Sequence, residues 1–238
     1  MFLSIIGYFH FKFHFNRIFI KLVLVIIRLV LWWNCLILKY KGGIYTSLYE
    51  KFFRTAFILF LVSEVMFFFG FFWSFFHSCW APTLFIGSCW PPIGFSNIVE
   101  DAYSLCKTVI LLSSACTVTW AHKRLISEDY RAAFYGLLTT CILGFRFLFL
   151  QRKEYISSLL RINSTVFSTT FFLLTGFHGF HVTLGFLFLV VCLFRIKTFS
   201  FRRKFHQGLE FAIWYWHFVD VVWLGLYISV YHYGRLLA

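Results

Sequence analysis

The residues Ile162–Phe194, INSTVFSTTFFLLTGFHGFHVTLGFLFLVVCLF, run for 33 positions without a charged side chain. At a rise of 1.5 Å per residue this makes a helix of about 50 Å. That exceeds the ~30 Å hydrocarbon core of a bilayer, so the segment must tilt or protrude. The apolar residues are continuous and do not alternate, which argues against the strands of a membrane barrel. In lipid every backbone polar group must be satisfied within the protein, and an open strand cannot do so. The stretch therefore predicts an all-α, polytopic transmembrane helix bundle.

Working outward, the other spans are read from where charge disappears. Phe211–Tyr233 follows and carries His217 and Asp220. Upstream lie Ala132–Leu150, with Arg146 near its end, and Tyr103–Ala121, with Lys107 near its start. A run from Thr55 past Trp80 holds a single charge, Glu64. The weakest span, Ile18–Leu38, is interrupted by Lys21 and Arg28. Six spans result, organised as a short N-terminal segment (1–17), a first helix (18–39) and a five-helix bundle (40–238). Composition agrees. Of 238 residues, 61% are hydrophobic and only 13% charged, against about 25% charged in soluble domains. That excludes a soluble enzyme, a disordered chain and a secreted disulfide scaffold.

Twenty-two Lys and Arg against nine Asp and Glu give a net charge of +13. The basic residues fall mostly between apolar runs, which points to topology control and anionic headgroups, not to nucleic acid. Twelve lie in connections on one side and seven on the other, so the richer side is expected to face the compartment of synthesis. Both termini then lie opposite. Met1–Phe15 has neither the cleavage site of a secretory signal nor the character of a transit peptide. The seven cysteines are odd in number and never spaced as CxxC, which argues against disulfides and thiolate metal sites.

Glu64 is the most informative single residue. It lies ten positions after Arg54, about 15 Å along a helix and near the bilayer midplane. Desolvation there favours the neutral acid. Such a residue serves either a proton relay or a buried hydrogen bond to a neighbouring helix. His178, His181 and His217 raise the question of haem, but the widely spaced His doublets on two facing helices are missing, as are paired Glu-x-x-His motifs for di-iron. Hydrogen bonding inside the bundle is the expectation for these His, with His217 and Asp220 on one helix face and able to bond one another. Gly176, Gly179 and Gly185 are expected to allow close helix contact. Trp32, Trp33, Trp80 and Trp90 read as interfacial anchors. No metal-ligand cluster, phosphate loop or nucleophile triad is legible.

Literal sequence says more. Ser63-Glu64-Val65-Met66-Phe67-Phe68-Phe69-Gly70-Phe71-Phe72-Trp73 is followed by Phe76-His77-Ser78 and Ala81-Pro82-Thr83. Further blocks are Cys89-Trp90-Pro91-Pro92, Thr117-Val118-Thr119-Trp120-Ala121-His122 and Thr175-Gly176-Phe177-His178-Gly179-Phe180-His181-Val182. The last is Glu210 through Trp214-Tyr215-Trp216-His217-Phe218-Val219-Asp220-Val221-Val222-Trp223. These blocks closely resemble cytochrome c oxidase subunit III.

The resemblance implies a seven-helix, mitochondrially encoded subunit of the inner-membrane oxidase, which oxidises cytochrome c, reduces oxygen and pumps protons. It implies haem and copper in partner subunits, none in this chain, and subunit I as the chief partner beside other oxidase subunits. It further implies bound phospholipids in a V-shaped cleft. Glu64 matches the family's carbodiimide-reactive buried acid, and Trp33, Arg54, His181 and Arg195 match positions associated with headgroups or the cleft. His178, Glu210, Trp214, His217 and Asp220 are the candidates for helix packing and hydrogen bonding. The implied role is to stabilise the catalytic core and sustain proton uptake, with direct relay through Glu64 as the alternative. The chain departs from the family twice. The segment Phe13-His14-Phe15-Asn16 resembles the family just before its second helix, so the first helix is expected to be missing or supplied by another chain. Asn34 also stands where relatives carry a basic residue. The excess of Phe suits an AT-rich organellar genome.

Overall fold

The computed structural model describes residues 17–42, except 18, 19, 22, 26, 29, 36, 40 and 41, together with 47–92, 101–158, 161–203 and 205–233. The expectations for the N-terminal segment and for a missing first helix fall outside the described residues, Arg17 apart. The described residues are almost entirely helical, with an isolated bridge between Arg202 and Phe205 and no strand. The protein is an all-α membrane bundle. Its two compact units are Met1–Ala56 and Phe57–Ala238.

In the first unit, the described residues of 17–39 are helical (α1). Ser47–Trp80 (α2) begins there and continues through the second unit. The second unit adds Asp101–Ile126 (α3), Tyr130–Ser157 (α4), Val166–Lys197 (α5) and Gln207–Leu226 (α6). The chain continues from α6 into a wider π-type turn, Tyr227–Tyr233. Among the described residues, five helices (α2 to α6, the last counted with its π-type extension) are long and apolar enough to cross a membrane.

Helix ends follow local chemistry. The charge-free stretch was expected to start its span at Ile162, but α5 starts at Val166 because Thr165 caps it. The Thr165 hydroxyl accepts from the Ser168 N–H (3.2 Å), and the Ser168 hydroxyl accepts from the Thr165 N–H (3.0 Å). This reciprocal pair satisfies two donors left open at a helix start. Asp129 does the same for α4, accepting from the Ala132 N–H at 3.1 Å. At its other end α4 runs on to Ser157, past the last apolar residue expected, because Gln151 and Glu154 turn inward to Lys107.

α3 to α6 pack closely, and Trp216 is the centrepiece. It is fully buried, held between glycines of two helices. A Cβ at Gly144 of α4 would come 2.8 Å from its Cη2, and one at Gly185 of α5 would come 3.1 Å from its Cε3. Its indole N–H donates to the Ser114 hydroxyl of α3 at 2.9 Å, and Trp223 donates likewise to Thr108 at 3.0 Å. Two indole–hydroxyl rungs thus register α6 against an antiparallel α3. In apolar surroundings such bonds have no competing water. Of the glycines expected to make close contacts, only Gly185 does; a Cβ on Gly179 would meet nothing within 4 Å. Trp90 is not an interfacial anchor either. It is buried, with Phe75 (5.5 Å) and Phe167 (5.4 Å) edge-on to its ring.

Within the second unit α2 rests on α5 and α6 through large aromatic rings. Phe57 stacks on Phe211 at 4.5 Å, and Phe67 meets Phe177 edge-on at 5.1 Å. Offset and edge-on contacts of this kind add to the area buried.

Candidate functional site

The Phe-rich face of α2 brings Glu64 against α5. Glu64 Oε2 lies 2.7 Å from His181 Nε2, and His181 Nδ1 lies 2.7 Å from the carbonyl of Phe177 one turn earlier. A carbonyl can only accept, so Nδ1 carries a proton. Nε2 then needs a second proton between it and the carboxyl, whether on nitrogen or on oxygen. Either way Glu64 and His181 together hold that proton and carry no net charge, which is how a titratable pair lowers its desolvation cost at membrane depth. Rings enclose it: Phe68 is edge-on to the imidazole at 4.9 Å, and Tyr215 stacks at 6.4 Å. Glu64 is thus hydrogen-bonded to a neighbouring helix, a contact compatible with either of the two roles that its position suggested.

Of the lipid-binding candidates in the second unit, Glu64 and His181 meet directly. Arg195 is on α5, fourteen residues after His181, or about 21 Å along the axis. Its guanidinium lies 4.1 Å from the Phe201 ring centroid, a cation–π distance. Trp33 and Arg54 belong to the first unit, both exposed.

Among the packing candidates, His178 donates from Nε2 to the Val219 carbonyl at 3.3 Å, with Phe147 and Trp223 against its ring. Trp214 packs on Phe57 and Phe211. His217 and Asp220 do not form the expected hydrogen bond. His217 Nδ1 stands 3.8 Å from Asp220 Oδ2, and neither buried oxygen of Asp220 has a hydrogen-bond partner among the described residues. The i,i+3 spacing places them on one face, but the imidazole is drawn sideways toward Thr119 of α3, 3.3 Å from Nε2.

Two clusters escape the sequence. Lys107 is fully buried; its ammonium donates to Gln151 at 2.9 Å and Glu154 at 2.5 Å and sits 4.8 Å over the Trp223 ring. Gln151 and Glu154 are one turn apart on α4, but nothing in sequence ties them to α3. In the second cluster His122, His206 and Glu210 place one ligand atom each within 4.8 Å of one another. Two imidazoles and a carboxylate suit zinc or a similar divalent cation. Spacing cannot show this, because 84 positions separate His122 from His206. His206 precedes α6, and its Nε2 contacts Glu210 at 3.2 Å. The hydrogen bond to that carboxylate raises the imidazole pKa above its ordinary value, partly offset by burial. All seven cysteines are free.

A family model described as Cytochrome c oxidase subunit III matches residues 1–235. The chain is 45% identical over 226 residues to "Cytochrome c oxidase subunit 3" of Scyliorhinus canicula, covering 93% of this chain and 87% of that one. It is 45% identical to the protein of the same name from Tetraodon nigroviridis, over 90% of this chain and 82% of the other. The Gadus morhua protein gives 45%, over 89% and 82%. Matched along nearly its whole length and folded as a multi-pass helical bundle, the chain belongs to the cytochrome c oxidase subunit III family and is a subunit of that oxidoreductase complex.

Proposed function

We propose that the chain is a non-catalytic core subunit which steadies the catalytic subunit, binds phospholipid and supports proton uptake while cytochrome c is oxidised and oxygen reduced. Its place is the mitochondrial inner membrane, its chief neighbour subunit I. Haem and copper are held by partner subunits. Trp33, Arg54, Glu64, His181 and Arg195 are the residues proposed to meet phospholipid, the two arginines through phosphate and the aromatic and acid–imidazole groups beside glycerol and tails.

The observation that carries the supporting role is the way the hydrogen bonds from Glu64 end. They pass to His181 and then to the Phe177 carbonyl, which already closes a helical turn. A carbonyl cannot pass a proton onward. The proton held by the pair favours a second reading, direct relay through Glu64. Replacing Glu64 by Gln in the assembled oxidase and measuring protons pumped per electron separates the two. Unchanged stoichiometry supports the steadying role, and a fall in stoichiometry at normal electron flow supports the relay.

A further inference from the structure

The α3–α6 face around His217 carries polar groups that hydrocarbon cannot satisfy. His217 lies ten residues into α6, about 15 Å along its axis and so near the middle of the membrane. Its side chain is nevertheless 40% exposed, while Asp220 behind it is sealed and without a hydrogen-bond partner among the described residues. Ionisable side chains at that depth face protein or water, not lipid tails.

The protons on this face can be assigned. The Thr119 hydroxyl donates to the Ala115 carbonyl at 2.8 Å, so its oxygen accepts from His217 Nε2–H at 3.3 Å. Nδ1 faces the Asp220 carboxyl, and an attractive contact there requires one proton on either partner, leaving the pair neutral. The bond to Thr119 is long, so Nε2–H remains able to take a better acceptor arriving from outside.

The surroundings have the shape of a helix seat. On α3, Val109, Leu112, Cys116 and Thr119 are exposed at spacings of three, four and three. Val221 of α6, 66% exposed, lies one turn beyond His217. This stripe, with Cys116 and Thr119 small beside His217 and Val221, lets a further helix approach closely.

We propose that this face docks a transmembrane helix of another oxidase subunit, which presents a side-chain oxygen to His217 Nε2–H at mid-depth. The incoming acceptor pulls the imidazole away from Thr119, and pressure from the helix closes the 3.8 Å gap to Asp220. The proposal gives a surface to the docking role proposed above and rests on it.

A photoactivatable residue at Val221 in the assembled oxidase tests it. Cross-linking to another oxidase subunit is the expected result. Cross-links confined to lipid, or to residues 1–39 of the same chain, overturn it. Cys116 supplies a test without substitution. A lipid-soluble maleimide should modify it in the chain released by detergent and lose that reaction in the intact oxidase, and equal labelling in both overturns the proposal. If the chain does not purify with the oxidase at all, the docking role itself fails. If it does purify but Cys116 is open, only this surface is wrong.

Discussion

Glu64 and His181 stand 117 positions apart in the chain and 2.7 Å apart in the structure, joined across α2 and α5 by one shared proton. The Phe177 carbonyl fixes a proton on Nδ1, so the contact with Glu64 is attractive only when one further proton lies between them, on Nε2 or on the carboxyl.

This gives an ordered series of substitutions. Glu64→Gln keeps a donor for His181 and is expected to leave the chain stable. His181→Leu strands the carboxyl among Phe side chains and costs about 1–3 kcal/mol, the usual penalty for an orphaned buried polar group. Thermal release of the chain from purified oxidase measures both. Equal loss in the two variants would show that the pair is not a neutral hydrogen-bonded unit.

At Lys107, removing one partner of a buried pair should cost more. Lys107→Met leaves Glu154 facing the bundle without its cation, an effect typically of about 3–5 kcal/mol. Adding Glu154→Gln should recover part of the loss. A double-mutant cycle read by the same thermal assay checks this, and strict additivity would contradict the direct bond.

Glycines discriminate by position. Gly144→Ala puts a methyl group against Trp216, which Gly185 hems in from the other side, so overpacking of about 1–3 kcal/mol is expected. Gly179→Ala meets nothing within 4 Å and should stay within about 0.5 kcal/mol. Comparing oxidase melting midpoints for the two variants separates packing from helix propensity.

The His206–Glu210 contact predicts a pH dependence. Because the folded imidazole has a raised pKa, its contribution is complete below the ordinary value of about 6.5 and fades as pH rises through the folded value. His206→Gln should therefore lower the melting midpoint more at acidic than at alkaline pH. An equal loss at both would remove the charge from the explanation.

Much of the fold was legible in order and type. The charge-free run after Arg161 and the Phe-rich run after Arg54 are helices because lipid leaves a continuous apolar chain no other way to satisfy its backbone. Their ends were less legible, since Thr165 and Asp129 act through local hydrogen bonds that hydropathy ignores, and α4 outruns its apolar segment to carry Glu154 to Lys107. At the candidate site, Glu64 was conspicuous as a lone acid in a span, and the family resemblance marked His181 as well. Their contact was not legible, because it depends on the rotation of two helices about their axes.

Apolar length and literal motifs, which need no third dimension, suffice to make this chain a multi-pass helical membrane protein of the subunit III family. Which polar groups meet is a matter of packing in three dimensions: Glu64 with His181, Lys107 with Glu154, His122 with His206 and Glu210, and His217 with Thr119 in preference to Asp220. In helices that are apolar almost all round, no stripe marks the inward face. Which side turns inward is then set by shape, by where Gly144 and Gly185 admit the Trp216 ring, and the polar pairs follow from that choice.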